Sequence, residues 1–220
     1  VLHLLLRDPA LVDLPRERLD AMAAELAEIE GATSARLTLE AAAASLFPRG
    51  RPHANFVNAA FAYARPREAN RFSPAGRGAW YAALEVETAL AEVGFHLTRA
   101  LRDAGRFEAA IDWAELWASV AGEYVDLRID PRPACLDPDP ALGYPAGNAL
   151  AEEARAAGLN GIVWPSVRRP GGTCLAALWP HAVQSVAQGA TWRTAWRGAP
   201  DPIIAPLDCA DLANRTENPR

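Results

Sequence analysis

Four polar side chains of the sequence supply groups that could act together on one ligand. Arg71 stands in the run Arg-Phe-Ser-Pro, Tyr81 follows ten residues later, Glu92 eleven residues after that, and Ser166 lies far downstream in Trp-Pro-Ser-Val. They provide a cation, a phenol, a carboxylate and a hydroxyl at spacings that random surface composition would rarely produce. A guanidinium can bind diphosphate oxygens through two parallel hydrogen bonds. The combination suggests a nucleotide site.

The same residues resemble the RES domain, named for Arg, Glu and Ser, of bacterial toxin–antitoxin pairs. The resemblance is strongest over residues 70–96 and 161–178 and spans residues 51–192. It implies an ADP-ribosyltransferase-like fold and NAD as a substrate that the protein consumes. It also implies a cognate antitoxin protein that inhibits by covering or plugging the cleft.

The resemblance implies catalytic roles for Glu92, Arg71 and Tyr81. When nicotinamide leaves the ribose of NAD, positive charge develops on the sugar, and by analogy with glycoside hydrolysis a fixed carboxylate would stabilise it. Glu92 is the candidate for that carboxylate. Arg71 would bind the diphosphate or orient the nicotinamide-side ribose, and Tyr81 would stack its ring on the nicotinamide.

Three further residues are candidate NAD contacts. Ser166 follows a proline at a predicted strand end, where its hydroxyl is placed to bond a ribose hydroxyl or the carboxamide. Arg168 lies in a glycine-containing loop that can present a cation to phosphate. His53 lies upstream of Arg71 and is assigned to the pocket by analogy with related NAD-cleaving folds. No grouping of His, Cys, Asp and Glu has metal-ligand spacing, so we expect no metal.

Each of these residues also has an ordinary structural interpretation. Glu92 can be a surface glutamate paired with His96 one helical turn later. Arg71 can be a solvated surface cation, Tyr81 a core aromatic residue, and Ser166 a hydroxyl that stabilises a turn. Without the resemblance, the structural interpretation is favoured for Arg71, Glu92 and Ser166.

The resemblance implies a toxin that binds NAD and cleaves the nicotinamide–ribose bond, as a glycohydrolase or a phosphorylase. The first alternative is a mono-ADP-ribosyltransferase that modifies a cellular protein. The alternative of another class is a non-catalytic module that binds a nucleotide or the antitoxin. Whether a protein accepts the ADP-ribosyl group and whether the chain forms a homo-oligomer are questions that the sequence leaves open.

Composition limits the kinds of partner and the cellular compartment that we expect for the protein. A formal net charge of −5 argues against a domain that neutralises the phosphates of a nucleic acid. Three cysteines without close pairs are expected in a reducing cytoplasm rather than in a disulfide framework. The apolar stretch at residues 1–6 is interrupted by Arg7 and Asp8 too early for a membrane span. We expect a cytoplasmic protein.

The chain divides into three predicted parts. Residues 1–50 contain two helical patterns and form an N-terminal helical extension, residues 51–207 form the NAD-binding domain, and residues 208–220 form a polar tail. Mixed strands and helices predict an α+β fold with flanking helices rather than a βαβ array.

Within the central domain, the pattern of apolar residues predicts the main elements. Strands are predicted at residues 80–84, 113–120, 123–129, 161–165 and 173–179, and helices at residues 88–102 and 148–157. The segment 56–63 fits a strand or a helix, and residues 130–145 are predicted to be a proline-rich connection. Alternation along the strand at residues 80–84 places Trp80 in the core, on the face opposite Tyr81.

Overall fold

A computed structural model describes residues 54–62, 69–129 and 132–207. The two helical patterns of the predicted extension, the predicted tail and His53 lie outside the described residues. The elements are helices α1 (Ala54–Ala62), α2 (Val86–Asp103) and α3 (Pro140–Ala156), and strands β1 (Trp80–Ala83), β2 (Glu108–Val120), β3 (Tyr124–Asp126), β4 (Gly161–Pro165), β5 (Thr173–Ala177), β6 (Val183–Arg197) and β7 (Ile203–Leu207).

The strands form two sheets. The first sheet has the order β1-β5-β4-β3, in which only the β3–β4 pair is parallel. The second sheet is antiparallel, in the order β2-β6-β7, and is dominated by the long β2–β6 pair. The architecture confirms the predicted α+β class and is compatible with an ADP-ribosyltransferase-like fold.

The core occupies both faces of the first sheet. Phe72, Ile162 and Trp164 belong to the cluster on one face, where Tyr81 also packs. Trp80 belongs to the cluster on the other face and is only 2% exposed. The predicted separation of Trp80 from Tyr81 is therefore confirmed, because successive side chains of a strand point to opposite faces.

Helix α2 carries Glu92 and connects the two sheets. Its observed span extends the predicted helix by two residues at the start and one at the end. Trp196 of β6 donates its indole N–H to Thr98 of α2 at 2.9 Å, and so fastens the second sheet to the helix. One face of the second sheet is thereby held next to the helix that carries the candidate carboxylate.

The prediction for the segment before β4 was partly wrong. Helix α3 begins at Pro140, eight residues earlier than predicted, so the second part of the proposed connection is helical. Pro140 occupies the first turn, where a missing N–H costs nothing, and Asp139 accepts a hydrogen bond from the Ala141 N–H as the N-cap. Pro145 also lies inside the helix, near its start. The prolines of this segment favour a connection in the sequence, although Pro140 starts the helix.

Other boundaries differ less. The ambiguous segment at residues 56–63 corresponds to helix α1, whose observed span is Ala54–Ala62. Strand β2 begins five residues before its predicted start, and β3 is only three residues long. Gly171 has a φ of 79°, which confirms the predicted glycine turn between β4 and β5. No described helix is long and apolar enough to cross a membrane.

Candidate active site

A cavity of about 270 Å³ lies between α2 and the two sheets. One part of its lining, here called the polar wall, consists of Arg71, Tyr81, Glu92 and Arg168. Another part, here called the aromatic wall, comes from the second sheet and consists of Glu115, Leu116, Trp117 and Trp192. Four of the residues singled out in the sequence therefore converge on one cavity.

Arg71 is a buried cation in the polar wall, with only 6% of its surface exposed. Its Nη1 donates to the carbonyl oxygens of Cys135 and Asp137, at 2.6 and 2.8 Å. Among the described residues, no carboxylate forms an ion pair with it. A buried charge is normally paired, so this guanidinium is suited to an anionic ligand in the cavity.

Two glycines of α3 allow Arg71 to reach this position. A Cβ atom at Gly143 would lie 2.5 Å from Arg71 Nη1, and one at Gly147 would overlap the Arg71 carbonyl oxygen. Tyr144, on the turn between them, faces the guanidinium with 5.6 Å from Arg71 Cζ to the ring centroid. Helix α3 thus presents a groove of small residues in which the arginine lies.

Glu92 is held by hydrogen bonds from the β4–β5 region. Ser166 Oγ donates to Glu92 Oε1 at 2.7 Å, and the Cys174 thiol contacts the same oxygen at 3.5 Å. Burial, followed by the nearby Glu92 charge, raises the pKa of Cys174 to about 12, so the thiol remains a protonated donor at neutral pH. Glu92 therefore points into the cavity as an oriented carboxylate.

The pairing with His96, which was the structural interpretation of Glu92, does not occur among the described ion pairs. His96 also lines the cavity, and desolvation lowers its pKa below the usual value. The nearby arginines act in the same direction as desolvation, whereas Glu92 opposes them. The imidazole is consequently neutral at pH 7 and does not neutralise the carboxylate.

Ser166 supports Glu92 and is not among the residues that line the cavity. Its Oγ accepts hydrogen bonds from the backbone N–H groups of Arg168 and Arg169, each at 3.1 Å, while its proton goes to Glu92. A serine hydroxyl offers one donor and two acceptor positions, and all three are used. In this geometry Ser166 acts on Glu92, and its predicted contact with NAD stays a prediction.

Tyr81 is fixed through its hydroxyl. Its oxygen accepts from the Phe72 N–H at 2.9 Å and shares a hydrogen bond with Ser73 Oγ at 3.0 Å. Burial raises the pKa of Tyr81 to about 12. Its ring meets Trp164 edge to face, with centroids 6.2 Å apart. The hydroxyl is thus held by polar partners, and Tyr81 contributes to the cavity lining.

Arg168 places a second cation in the polar wall. Its Cζ lies 3.4 Å from the centroid of the Phe95 ring, and Nη2 donates to the Pro138 carbonyl at 2.6 Å. Its buried Nε has no hydrogen-bond partner among the described residues. Burial lowers the pKa of Arg168, whereas the Glu92 charge opposes that shift. Arg71 and Arg168 together make the polar wall attractive to phosphate oxygens.

Sequence reasoning missed Tyr144, Trp164, Cys174 and the aromatic wall. Tyr144 was hidden in the segment taken for a connection, and Trp164 lay two residues from Ser166. The aromatic wall did have a signal, since Trp113, Glu115 and Trp117 alternate along one strand. Among the described residues, no group of three or more His, Cys, Asp or Glu side chains is arranged to hold a metal ion.

The fold and the cavity define an α+β domain in which two cationic groups, which form no ion pair within the described part of the chain, share one cavity with an oriented carboxylate. Residues 46–197 match the family model of the RES domain. The match covers more than half of the chain, and the protein therefore belongs to the RES-domain family, which is associated with NAD-related toxins of toxin–antitoxin systems. Among curated proteins, none matches the chain.

Proposed function

We propose that this protein is the toxin of a toxin–antitoxin pair and that it binds NAD in the cavity and cleaves the nicotinamide–ribose bond. The observation that carries the proposal is the presence of buried Arg71 and oriented Glu92 in one cavity. Arg71, assisted by Arg168, supplies positive charge for the diphosphate. Glu92 supplies negative charge for the sugar.

In the proposed reaction, the bond between the ribose carbon and the pyridinium nitrogen breaks. Its electron pair stays with the nitrogen, so nicotinamide leaves as a neutral molecule and the positive charge passes to the ribose. The Glu92 carboxylate stabilises this oxocarbenium-like state, because it is already fixed when the charge develops. The Ser166 hydrogen bond keeps Glu92 from turning away.

The acceptor completes the reaction by attacking the ribose carbon and losing a proton. Water gives ADP-ribose, phosphate gives its 1-phosphorylated form, and a protein side chain gives an ADP-ribosylated protein. NAD breakdown by water or phosphate is the first proposal. A protein acceptor is the second, and the observation that favours it is an apolar rim: Leu84 and Trp117 line the cavity while 59% and 60% exposed.

The setting of this activity is proposed from the family. A cognate antitoxin would inhibit by covering the cavity, and NAD would be a consumed substrate rather than a resident cofactor. The cytoplasm is the expected compartment, because NAD is abundant there.

The function is tested by measuring nicotinamide release from NAD by the purified protein and by Glu92→Gln. Glutamine keeps an oxygen that accepts the Ser166 hydrogen bond but removes the charge. We expect kcat to fall about 1000-fold with little change in KM, as when an electrostatic stabiliser of a transition state is removed. Glu87→Gln is the matched control, because Glu87 is exposed on the same helix and does not line the cavity.

Two outcomes would contradict the proposal. Equal turnover by the Glu92→Gln variant would exclude the role given to Glu92. NAD binding without nicotinamide release by the unaltered protein would favour a non-catalytic module.

The acceptor is identified by incubating the purified protein with cell lysate and with NAD labelled in its adenylate half, with and without phosphate. Label on a discrete protein band supports the transferase, whereas label only in small molecules supports NAD breakdown.

A further inference from the structure

The carboxylate of Glu115 faces the cavity from the second sheet. The register between β2 and β6 shifts between Ala114 and Leu116, and two residues of β6, Gly189 and Ala190, lie opposite the single residue Glu115. At this bulge of β6, Glu115 Oε2 accepts a hydrogen bond from the Ala190 N–H at 3.0 Å and a longer one from Trp192 Nε1 at 3.5 Å. A bulge locally disrupts the ladder between two strands, and here the Ala190 N–H bonds the Glu115 side chain and fixes an acid in the aromatic wall.

Gly189 makes the arrangement sterically possible. A Cβ atom at this position would lie 2.5 Å from Trp117 Nε1 and 2.8 Å from Glu115 Oε2. Any other residue would displace the carboxylate or the indole. The bulge therefore holds one acid between two tryptophans, Trp117 and Trp192, all three lining the cavity.

The ligand that suits Glu115 is a neutral hydrogen-bond donor. Both of its partners within the protein are neutral, and no ion pair to Glu115 occurs in the described part of the chain. An ionised carboxylate has about four acceptor positions, of which these bonds use two. The remaining positions, mainly on Oε1, are available to a pair of neighbouring hydroxyl groups. A phosphate at the same place would be repelled by the charge.

Glu92 and Glu115 are associated with different parts of the cavity. Glu92 lies beside Arg71 and Arg168 in the polar wall, whereas Glu115 lies in the aromatic wall. Helix α2 lines the cavity from its N-cap, Glu85, to His96, a distance of about 16 Å at 1.5 Å per residue. A ligand with two separate sugars matches this division, and the tryptophans offer flat surfaces for a base.

We infer that Glu115, with Trp117 and Trp192, forms the subsite for the adenosine half of the dinucleotide and selects NAD against NADP. The carboxylate accepts from the 2′- and 3′-hydroxyls of the adenosine ribose, as acidic residues do at other dinucleotide sites. In NADP a phosphate takes the place of the 2′-hydroxyl proton, so one hydrogen-bond donor is lost. Like other phosphate monoesters, this group carries about 1.5 to 2 negative charges. This inference rests on the proposed function, since it takes NAD as the ligand.

The test compares kcat/KM for NAD and NADP, measured as nicotinamide release by the unaltered protein and by Glu115→Gln. We expect the unaltered protein to prefer NAD by on the order of 100-fold, because NADP would place its charged 2′-phosphate against the Glu115 carboxylate, where NAD places a hydroxyl. Glutamine removes the repulsion, and the preference should fall at least tenfold. Glu108→Gln is the control, since Glu108 lies on the same strand but is exposed and paired with Arg106.

Binding of ADP-ribose and of its 2′-phosphate, measured by calorimetry, separates this inference from the proposed function. If neither dinucleotide is cleaved but ADP-ribose binds more tightly and Glu115→Gln removes the difference, the cleavage proposal fails and the subsite stands. If the unaltered protein cleaves NAD and NADP equally well and binds ADP-ribose and its 2′-phosphate equally tightly, the subsite is overturned and the proposal of NAD cleavage is unaffected. An unchanged preference in folded Glu115→Gln would also overturn it. The comparison in the unaltered protein requires no variant to fold.

Discussion

In the polar wall, each group named in the sequence is anchored by a hydrogen bond to the main chain or to another side chain. Arg71 donates to two carbonyl oxygens, Tyr81 accepts from a backbone N–H, and Glu92 accepts from Ser166. In the aromatic wall, Trp117 is 60% exposed, although it lies beside the anchored Glu115. The polar wall is organised before a ligand arrives, whereas the aromatic wall offers surface that a ligand can cover. Under the proposed function, the polar wall performs the chemistry and the aromatic wall contributes to recognition.

The largest effect is expected at Arg71 in the polar wall. Lysine keeps the positive charge but loses the planar guanidinium, which donates to two carbonyl oxygens through Nη1 and has further N–H groups for a ligand. We expect Arg71→Lys to lower kcat/KM for NAD about 100-fold, with an increase in KM as well as a fall in kcat. Steady-state kinetics would measure both.

The control for Arg71→Lys is Arg77→Lys in the same stretch of chain. Arg77 pairs with Glu152 near the surface, where both side chains are nearly half exposed, so its loss should leave turnover unchanged. Equal losses in both variants would mean that Arg71 is not distinguished from a surface arginine.

The anchoring of Arg71 by α3 is tested by Gly147→Ala. The added methyl group would overlap the Arg71 carbonyl oxygen and lie 3.2 Å from Arg71 Cγ. We expect the free energy of unfolding to fall by about 2 kcal/mol, as in other overpacked interiors, and activity to fall with it. Denaturant titration, monitored by tryptophan fluorescence, would measure the change.

The control for Gly147→Ala is Gly94→Ala in α2, where the nearest atom to a new Cβ is Pro202 Cγ at 3.9 Å. That space is sufficient, so alanine should increase stability by about 0.5–1 kcal/mol through its helix propensity. A stable Gly147→Ala variant would show that α3 does not constrain Arg71.

Ser166 is predicted to act through Glu92 as a positioning residue. Ser166→Ala removes the donor to the carboxylate, and we expect kcat to fall about tenfold while KM stays nearly constant, consistent with a hydrogen bond to a charged group. Ser166→Thr retains the hydroxyl and should restore most of the rate. An increase in KM alone would instead support a direct contact with NAD. Ser119→Ala, at an exposed position of β2, is the control.

The smallest effect is expected in the aromatic wall. Trp117→Ala should raise KM for NAD about 3- to 10-fold with kcat unchanged, because an exposed indole contributes binding surface but no anchored charge. The same kinetic assay measures it, and Val120→Ala, exposed on the same strand, is the control. A fall in kcat as large as that of Ser166→Ala would remove the distinction between the two walls.

Much of the polar wall could be predicted because its signals are local. The spacing of Arg71, Tyr81 and Glu92 falls within 22 consecutive residues, and the alternation of β1 correctly placed Trp80 and Tyr81 on opposite faces. The helical period likewise predicted the helix that carries Glu92 to within two residues at each end. The predicted start of α3 was wrong because proline weakens helix interiors but favours helix starts, so the same residue supports opposite conclusions.

The sequence by itself determined the class of fold, the identity of the polar residues and the elements that carry them, because helical and strand periods and turn residues are properties of neighbouring positions. Only the tertiary structure decided that Arg71 is buried without a carboxylate among the described residues and that Ser166 bonds to Glu92, 74 residues away. It also decided that Glu115 of a second sheet faces the same cavity. These contacts depend on how strands and helices pack across long sequence separations, which no local pattern specifies.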